Sequence, residues 1–313
     1  MELKEIEIFA PATIANISCG FDVMGCCLDS IGDTMILRKT QEKGIRISKI
    51  IGEVLPMEPE QNVAGVAIIA MLKACKVQPD FGFDIEIHKK IKPGSGIGSS
   101  AASAAGAVFA ANELMGKPFT KHQLIPFAAE GERVACGSPI ADNVAPALLG
   151  GFTLVKSTDP IKVIELPSIN GLYATIIHPQ IEIKTSLSRD ILPQNVSLKN
   201  AVKQWANVGA FVHALHTNDH ELFADSLKDY IVEPHRSKLI PRFNEVIQAA
   251  VHAGALGGGI SGSGPSIFTF SKDIQTAENV YNTINEVYSK TKIPYHVYTS
   301  KINEKGVKIL KQQ

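Results

Sequence analysis

A short glycine-rich segment carries the residues best suited to chemistry in this chain. It reads Pro93-Gly94-Ser95-Gly96-Ile97-Gly98-Ser99-Ser100-Ala101. Glycines let a backbone approach a bulky ligand because they have no Cβ, and the small residues that follow predict a helix over 99–115. The first amides of a helix have no partner within it and lie at the positive end of its dipole, so they favour an anion such as a triphosphate. The glycine spacing alone indicates equally well a tight turn packed against a strand.

Two familiar phosphate-binding patterns do not fit this segment. The chain contains no GxxxxGK[ST] sequence, so the segment is not a Walker A loop. The third glycine of a dinucleotide fingerprint is replaced by Ser99, and Glu113 comes too early to bind a ribose. These departures disfavour a nicotinamide-dependent oxidoreductase, which is the alternative enzyme class for a glycine-rich loop.

Length and composition describe the scaffold that must position this loop. A chain of 313 residues suits two packed domains, and we predict them over 1–165 and 166–313. Strands and helices alternate irregularly in both halves, which predicts an α+β fold. Lys plus Arg and Asp plus Glu both number 31. This balance gives no electrostatic footprint for nucleic acid or an anionic membrane, so we expect small-molecule partners.

The cysteines and the start of the chain predict a cytoplasmic protein. The five cysteines show no CxxC spacing and are odd in number, which argues against a disulfide framework. The first residues are charged and lack an apolar signal core, and no apolar run approaches the length of a membrane span.

Several further elements are expected to surround the loop. Pro11 is expected to open a turn that continues through Gly20, and a second glycine-rich segment, at 257–264, precedes a predicted strand over 266–270. Helical spacing predicts helices over 62–74 and 120–135. Lys89 and Lys92 flank the segment at 93–101, which is called the phosphate loop below after its expected ligand. Their ammonium groups could approach the phosphates, but we expect both to be solvated.

Three motifs together resemble the GHMP kinase family. They are the loop at 93–102, the segment at 10–25 (APATIANISCGFDVMG) and the segment at 258–266 (GGISGSGPS). The resemblance implies an N-terminal domain like ribosomal protein S5 domain 2 and a C-terminal ferredoxin-like domain. It also implies that ATP binds to the first domain and that the acceptor binds between the two.

Within this family, four segments resemble the homoserine kinase branch. They lie at 16–22, 141–146, 178–189 and 231–236. The resemblance implies ATP-dependent phosphorylation of the L-homoserine hydroxyl in threonine biosynthesis, by a homodimer. One departure is Ile140, where that branch usually has histidine. One alternative is another acceptor, such as mevalonate or a sugar, but these acceptors lack an ammonium group that Asp22 and Asp142 could bind. A second alternative is a non-catalytic metabolite-binding module, which the presence of both Ser100 and Glu132 disfavours.

The resemblance assigns the nucleotide and metal sites. The loop residues 93–101 and Asn62 would bind ATP, although Asn62 is an equally good helix N-cap. Ser100 and Glu132 would bind Mg²⁺, a hard ion that takes few protein ligands. From the residues alone, Glu132 reads as a solvated carboxylate beside Arg133, and Glu130 is its rival for the metal.

The acceptor site is expected to bind an amino-acid zwitterion. Arginine can grip a carboxylate bidentately. The residues that the family motifs place there are Arg189 and Arg236 for the carboxylate, Asp22, Asp142 and Asn16 for the ammonium group, and Thr185 as a further substrate contact. Asn143 stands where related kinases have a catalytic aspartate. Because an amide cannot take a proton at neutral pH, we expect direct attack by the hydroxyl, with Asn143 and Arg189 as the residues at the reacting centre.

Overall fold

The computed structural model describes residues 3–183 and 185–313. The first half of the chain contributes six strands to one sheet, and its helices pack beside that sheet. In chain order its elements are β1 (Glu5–Ala15), β2 (Met24–Thr40), β3 (Ile45–Ile51), α1 (Val63–Ala74), β4 (Gly82–His88), α2 (Ser99–Leu114), α3 (Lys121–Cys136), α4 (Val144–Leu149), β5 (Phe152–Thr158) and β6 (Ile161–Leu166).

The second half has more helix. Its elements are β7 (Tyr173–Pro179), α5 (Thr185–Asp190), α6 (Leu198–Thr217), α7 (His220–Ser226), α8 (Glu233–Arg236), α9 (Phe243–His252), β8 (Gly257–Ile260), β9 (Ile267–Ser271), α10 (Ile274–Ser289), β10 (Tyr295–Lys301) and β11 (Lys308–Gln312). Among the described helices, none combines the length and hydrophobicity that a bilayer span requires.

The first sheet takes strands from both ends of the chain. Its order is β11-β1-β2-β4-β3, and β5 pairs with both β2 and β6. The small side chains of α2 let this helix pack closely on β1 and β2, so almost every residue of α2 is buried. The division of the chain near residue 165 stays a prediction. The pairing of β11 with β1 means that the last strand belongs to the sheet of the first half.

The second sheet is antiparallel and has the order β10-β7-β9-β8. Its core is continuous with that of the first sheet through a cluster of buried phenylalanine rings. These rings belong to Phe152, Phe211, Phe223, Phe268 and Phe270. The mixed helices and sheets confirm the predicted α+β class.

One local prediction was wrong. Strand β1 does not turn at Pro11 but continues to Ala15, and its register with β2 shifts between Pro11 and Thr13. Proline lacks an N–H, so it is tolerated in a sheet at such an irregularity. The second glycine-rich segment adds a strand that the sequence did not indicate, since Gly257–Ile260 forms β8 and pairs with β9.

Candidate active site

The phosphate loop has an unusual backbone that only glycine adopts readily. Gly94, Gly96 and Gly98 all have positive φ, at 73°, 83° and 70°. A Cβ on Gly96 would lie 2.7 Å from the carbonyl oxygens of Ser261 and Gly264, whereas a Cβ on Gly94 would meet nothing within 4 Å. Gly96 therefore serves close packing within the protein, and the open side of the loop is at Gly94.

The two glycine-rich segments are joined by hydrogen bonds. The Ser261 hydroxyl donates to the Gly96 carbonyl at 2.7 Å, and the Ser266 hydroxyl donates to the Ser95 carbonyl at 2.6 Å. The amide of Thr13 in β1 donates to the Ile97 carbonyl at 3.2 Å. The three motifs, far apart in the chain, thus meet at one place.

The first turn of α2 lies directly after this loop. The first intrahelical bond runs from the Ala102 amide to the Gly98 carbonyl at 2.8 Å, so the amides of Ser99, Ser100 and Ala101 precede it. The Ser99 hydroxyl points back to the Ile91 carbonyl at 2.7 Å, while Pro93 and Gly94 are exposed. This arrangement suits an anion at the start of α2.

A hydroxyl and a carboxylate meet beside that turn. The Ser100 hydroxyl donates to Glu132 Oε2 at 3.1 Å, and Glu132 is only 4% exposed. Helix α3 approaches closely because Gly131 faces the Val63 carbonyl, where a Cβ would come within 2.6 Å. Burial raises the pKa of Glu132 to about 7, against the opposing effects of the Ser100 hydrogen bond and the Lys89 charge.

This oxygen pair fits Mg²⁺. Two neighbouring ligands of an octahedral Mg²⁺, each at 2.0–2.1 Å, lie about 3 Å apart, which matches the Ser100–Glu132 separation. No cluster of three or more His, Cys, Asp or Glu residues suited to a metal occurs in the part of the chain that the structure describes. The solvated carboxylate of this helix is Glu130, which is paired with Arg133 at 3.0 Å.

Arg236 is a buried cation next to the second glycine-rich segment. It is 3% exposed, and its guanidinium donates to the carbonyls of Ser188 (2.8 Å) and Gly262 (3.1 Å) and lies 5.0 Å from the centre of the Phe21 ring. Burial lowers its pKa to about 10. The carboxylates of Asp22, Asp229 and Asp142 partly offset this effect, but none of the described carboxylates forms a direct ion pair with the Arg236 guanidinium, which can therefore accept an anionic partner.

Arg189 forms a bidentate ion pair with Asp22, and its guanidinium lies 6.0 Å from the centre of the Phe21 ring. The two N–O distances of this pair are 3.0 and 3.1 Å, and the side chains are 38% and 39% exposed. The amide of Asp22 donates to Asn16 Oδ1 at 3.0 Å, and Asn16 Nδ2 donates to the Gly262 carbonyl at 2.7 Å. The Asn16 amide is therefore engaged with the protein at both ends, and it holds Asp22 in place.

Asp142 and Asn143 lie between the Ser100–Glu132 pair and the Arg189–Asp22 pair. Asp142 is 3% exposed, and its pKa is raised to about 7, first by burial and then by the charges of Asp22 and Glu132. Asn143 Oδ1 accepts a 2.6 Å hydrogen bond from the Thr13 hydroxyl, while its Nδ2 faces Asp142 Oδ1 at 3.4 Å. The predicted acceptor residues thus converge beside the phosphate loop.

For three residues the structure either differs from the expectation or does not test it. Asn62 caps α1, since its Oδ1 accepts from the Ala64 amide (3.0 Å) and its Nδ2 donates to the Pro56 carbonyl (2.8 Å), so its contact with adenine stays a prediction. The side chain of Thr185 lies outside the described residues. Lys89 is not solvated as expected but buried against Asp33. A lysine in the run Lys89-Lys90-Ile91-Lys92 gives no sequence signal of burial.

Comparisons with known proteins agree with this geometry. The model of the GHMP kinases N terminal domain matches residues 62–151, and that of the GHMP kinases C terminal domain matches residues 211–290. Together these segments cover more than half of the chain. The chain belongs to the GHMP kinase family, a family of ATP-dependent kinases.

Individual relatives define the position of the chain within this family. The chain is 44% identical over 320 residues to the homoserine kinase of Chlorobium phaeobacteroides (strain BS1), an alignment that covers 98% of this chain and 100% of that protein. The crystal structure of homoserine kinase from Cytophaga hutchinsonii ATCC 33406 superimposes with a TM-score of 0.94 at 47% identity, covering 98% of each chain. Within the GHMP kinases, the chain therefore groups with the homoserine kinases.

A more distant structure shares the fold alone. L. major mevalonate kinase, whose crystal structure contains R-mevalonate, has a TM-score of 0.67 at 16% identity and covers 96% of this chain and 95% of its own.

Proposed function

We propose that this protein transfers the γ-phosphoryl group of ATP to the side-chain hydroxyl of L-homoserine, which gives O-phospho-L-homoserine for threonine biosynthesis. The observation that carries the proposal is the buried guanidinium of Arg236, which donates to two backbone carbonyls and forms no direct ion pair with a carboxylate of the described residues. An amino-acid carboxylate would pair with this guanidinium, and the ammonium group would be received by Asp142 and by Asp22, whose present partner is Arg189. Mevalonate and sugars have no ammonium group for these two carboxylates.

The reaction needs positioning and charge neutralisation more than covalent help from the protein. The amides of Ser99, Ser100 and Ala101 would hold the phosphates. Ser100 and Glu132 would hold Mg²⁺, which supplies positive charge to the phosphate oxygens when it is bound. The acceptor hydroxyl oxygen bonds to the γ-phosphorus, the bond from that phosphorus to the bridging oxygen of ADP breaks, and the hydroxyl proton passes to a γ-phosphate oxygen.

Asn143 is expected to orient groups rather than take a proton. Its amide accepts from the Thr13 hydroxyl and cannot act as a base. We expect Asn143→Ala to lower kcat by less than the roughly 10²–10⁴-fold that removing a general base causes. Single-turnover kinetics at saturating ATP and L-homoserine measure this. A loss as large as that range would contradict direct attack.

Substrate binding is expected to depend on pH through Asp142. Its pKa is raised to about 7, so the carboxyl group is mostly neutral at pH 6 and mostly charged at pH 8. Because the ammonium group of the acceptor prefers the charged form, we expect the KM for L-homoserine to fall as pH rises through about 7. Initial rates over this pH range test the expectation. In Asp142→Asn the KM should be high and nearly independent of pH, and an unchanged profile would contradict this role.

An acceptor panel tests the function as a whole. L-homoserine, L-serine, L-threonine and mevalonate would be supplied with ATP and Mg²⁺, and ADP release would be followed. We expect the highest kcat/KM for L-homoserine. A preference for mevalonate would replace the proposal with another GHMP activity, and the absence of ADP release with every acceptor would favour a binding module.

We also propose a homodimer in the cytoplasm. Helix α6 exposes Leu198, Val202 and Trp205 on one face, at 73%, 46% and 58%. Apolar patches of this kind often mark contacts with a partner, and twofold dimers are the commonest assemblies. Light scattering should give a dimer mass that Trp205→Glu reduces to a monomer mass. The four cysteines whose state the structure describes are free, which suits a reducing compartment.

A further inference from the structure

A lysine ammonium is buried beneath the first turn of α2. The side chains of Lys89 and Asp33 are 1% and 0% exposed and form an ion pair. The ammonium of Lys89 also donates to the Ser99 carbonyl at 2.9 Å and to the Ser103 hydroxyl at 3.0 Å. An ammonium has three N–H donors, so all three are used, and two of them bind α2.

Asp33 binds the chain on the other side of the phosphate loop. Its Oδ1 accepts from the amides of Lys90 (2.7 Å) and Ile91 (2.9 Å). The Ser99 hydroxyl then donates to the Ile91 carbonyl at 2.7 Å. One ion pair therefore ties the segment that enters the loop to the helix that leaves it.

Stability alone does not account for this pair. A buried ion pair is often no more stabilising than apolar side chains of the same volume, because both charges lose their hydration. A cation at the N-terminal end of a helix also lies at the unfavourable end of the dipole. The geometry instead fixes both ends of a loop whose amides must keep one orientation.

We propose that Lys89 is a positioning residue for nucleotide binding, acting with Asp33 as a clamp across residues 89–99. The clamp holds the first turn of α2 so that the amides of Ser99 to Ala101 and the Ser100 hydroxyl face the phosphates. The inference rests on the proposed function only in taking the ligand of the phosphate loop to be a nucleotide, because it concerns the nucleotide site and not the acceptor site.

The test separates positioning from folding. Lys89→Met alone leaves Asp33 buried without its cation, so it is compared with the double variant Asp33→Asn/Lys89→Met, in which the amide oxygen can still accept from Lys90 and Ile91. Thermal denaturation reports the fold of each variant. Calorimetric titration with MgADP, without an acceptor, reports nucleotide binding. Lys156→Met, which removes an exposed lysine of β5, is the matched control.

We expect the double variant to recover the thermal stability that Lys89→Met loses, yet to bind MgADP roughly 10–100-fold more weakly than the wild type, as is usual when a supporting residue of a site is removed. At saturating ATP, its KM for L-homoserine should stay within about twofold. Wild-type MgADP affinity in the double variant would overturn the clamp. If the unmodified protein binds MgADP but does not phosphorylate L-homoserine, the proposed acceptor fails while the binding test of the clamp still holds.

Discussion

Replacing Glu132 by glutamine is expected to lower kcat by roughly 10²–10³-fold, the scale of losing one electrostatic contact to a developing transition state. Glutamine keeps the shape of the side chain but removes the anionic oxygen that lies 3.1 Å from the Ser100 hydroxyl. Steady-state kinetics with a Mg²⁺ titration measure the loss. Glu130→Gln is the matched control on the same helix, and it should stay within about twofold because Glu130 is exposed.

The same substitution is expected to raise thermal stability. The pKa of Glu132 is raised to about 7 in the folded protein, above its ordinary value of 4.5. The folded state therefore holds this proton more tightly than the unfolded state does, and stability is lost as pH rises through about 7. Since glutamine never ionises, the gain in Tm should be larger at pH 8 than at pH 5. If Glu132→Gln is destabilised at pH 8, or if it keeps the wild-type kcat, Glu132 is not a buried carboxylate that serves to bind the metal.

Replacing Arg236 by alanine is expected to raise the KM for L-homoserine by roughly 10–100-fold, which corresponds to the ~1.5–3 kcal/mol of a charge-assisted hydrogen bond. The KM for MgATP should change little, because Arg236 contacts the Ser188 and Gly262 carbonyls and not the start of α2. Initial-rate kinetics with each substrate varied in turn separate the two effects.

Two further variants make this result interpretable. Arg236→Lys keeps the charge but loses the planar fork, so its KM should lie between those of the wild type and Arg236→Ala. Arg242→Ala removes an exposed arginine that pairs with Glu245, and it should leave both KM values unchanged. An unchanged acceptor KM in Arg236→Ala would remove this residue from the acceptor site.

Local patterns predicted the elements around the site better than the contacts within it. The start of α2 at Ser99 follows from the glycines and small residues, and the spacing of apolar residues gave α1 and α3 nearly to the residue. The meeting of Ser100 with Glu132 could not be derived in this way. It depends on Gly131 letting α3 approach its neighbours, and only the family resemblance paired the two residues.

The errors have a common physical origin in long-range partners. Lys89 looks solvated in a lysine-rich run, and its burial depends on Asp33, which lies 56 residues earlier. Pro11 looks like a turn former, but the irregular register with β2 accommodates it within a strand. The contact of Asn16 with an ammonium group stays a prediction, and the structure adds long-range partners for its amide, the Asp22 N–H and the carbonyl of Gly262, 246 residues away.

The pairing of β11 with β1 has a consequence for biosynthesis. Translation proceeds from the N-terminus, so β1, which carries Thr13 to the phosphate loop, emerges from the ribosome long before Lys308–Gln312. Until the residues of β11 appear, the edge of β1 that pairs with them has no hydrogen-bonding neighbour and is open to intermolecular association. The nascent chain can thus complete the sheet that contains β1 only after Lys308–Gln312 has been synthesised.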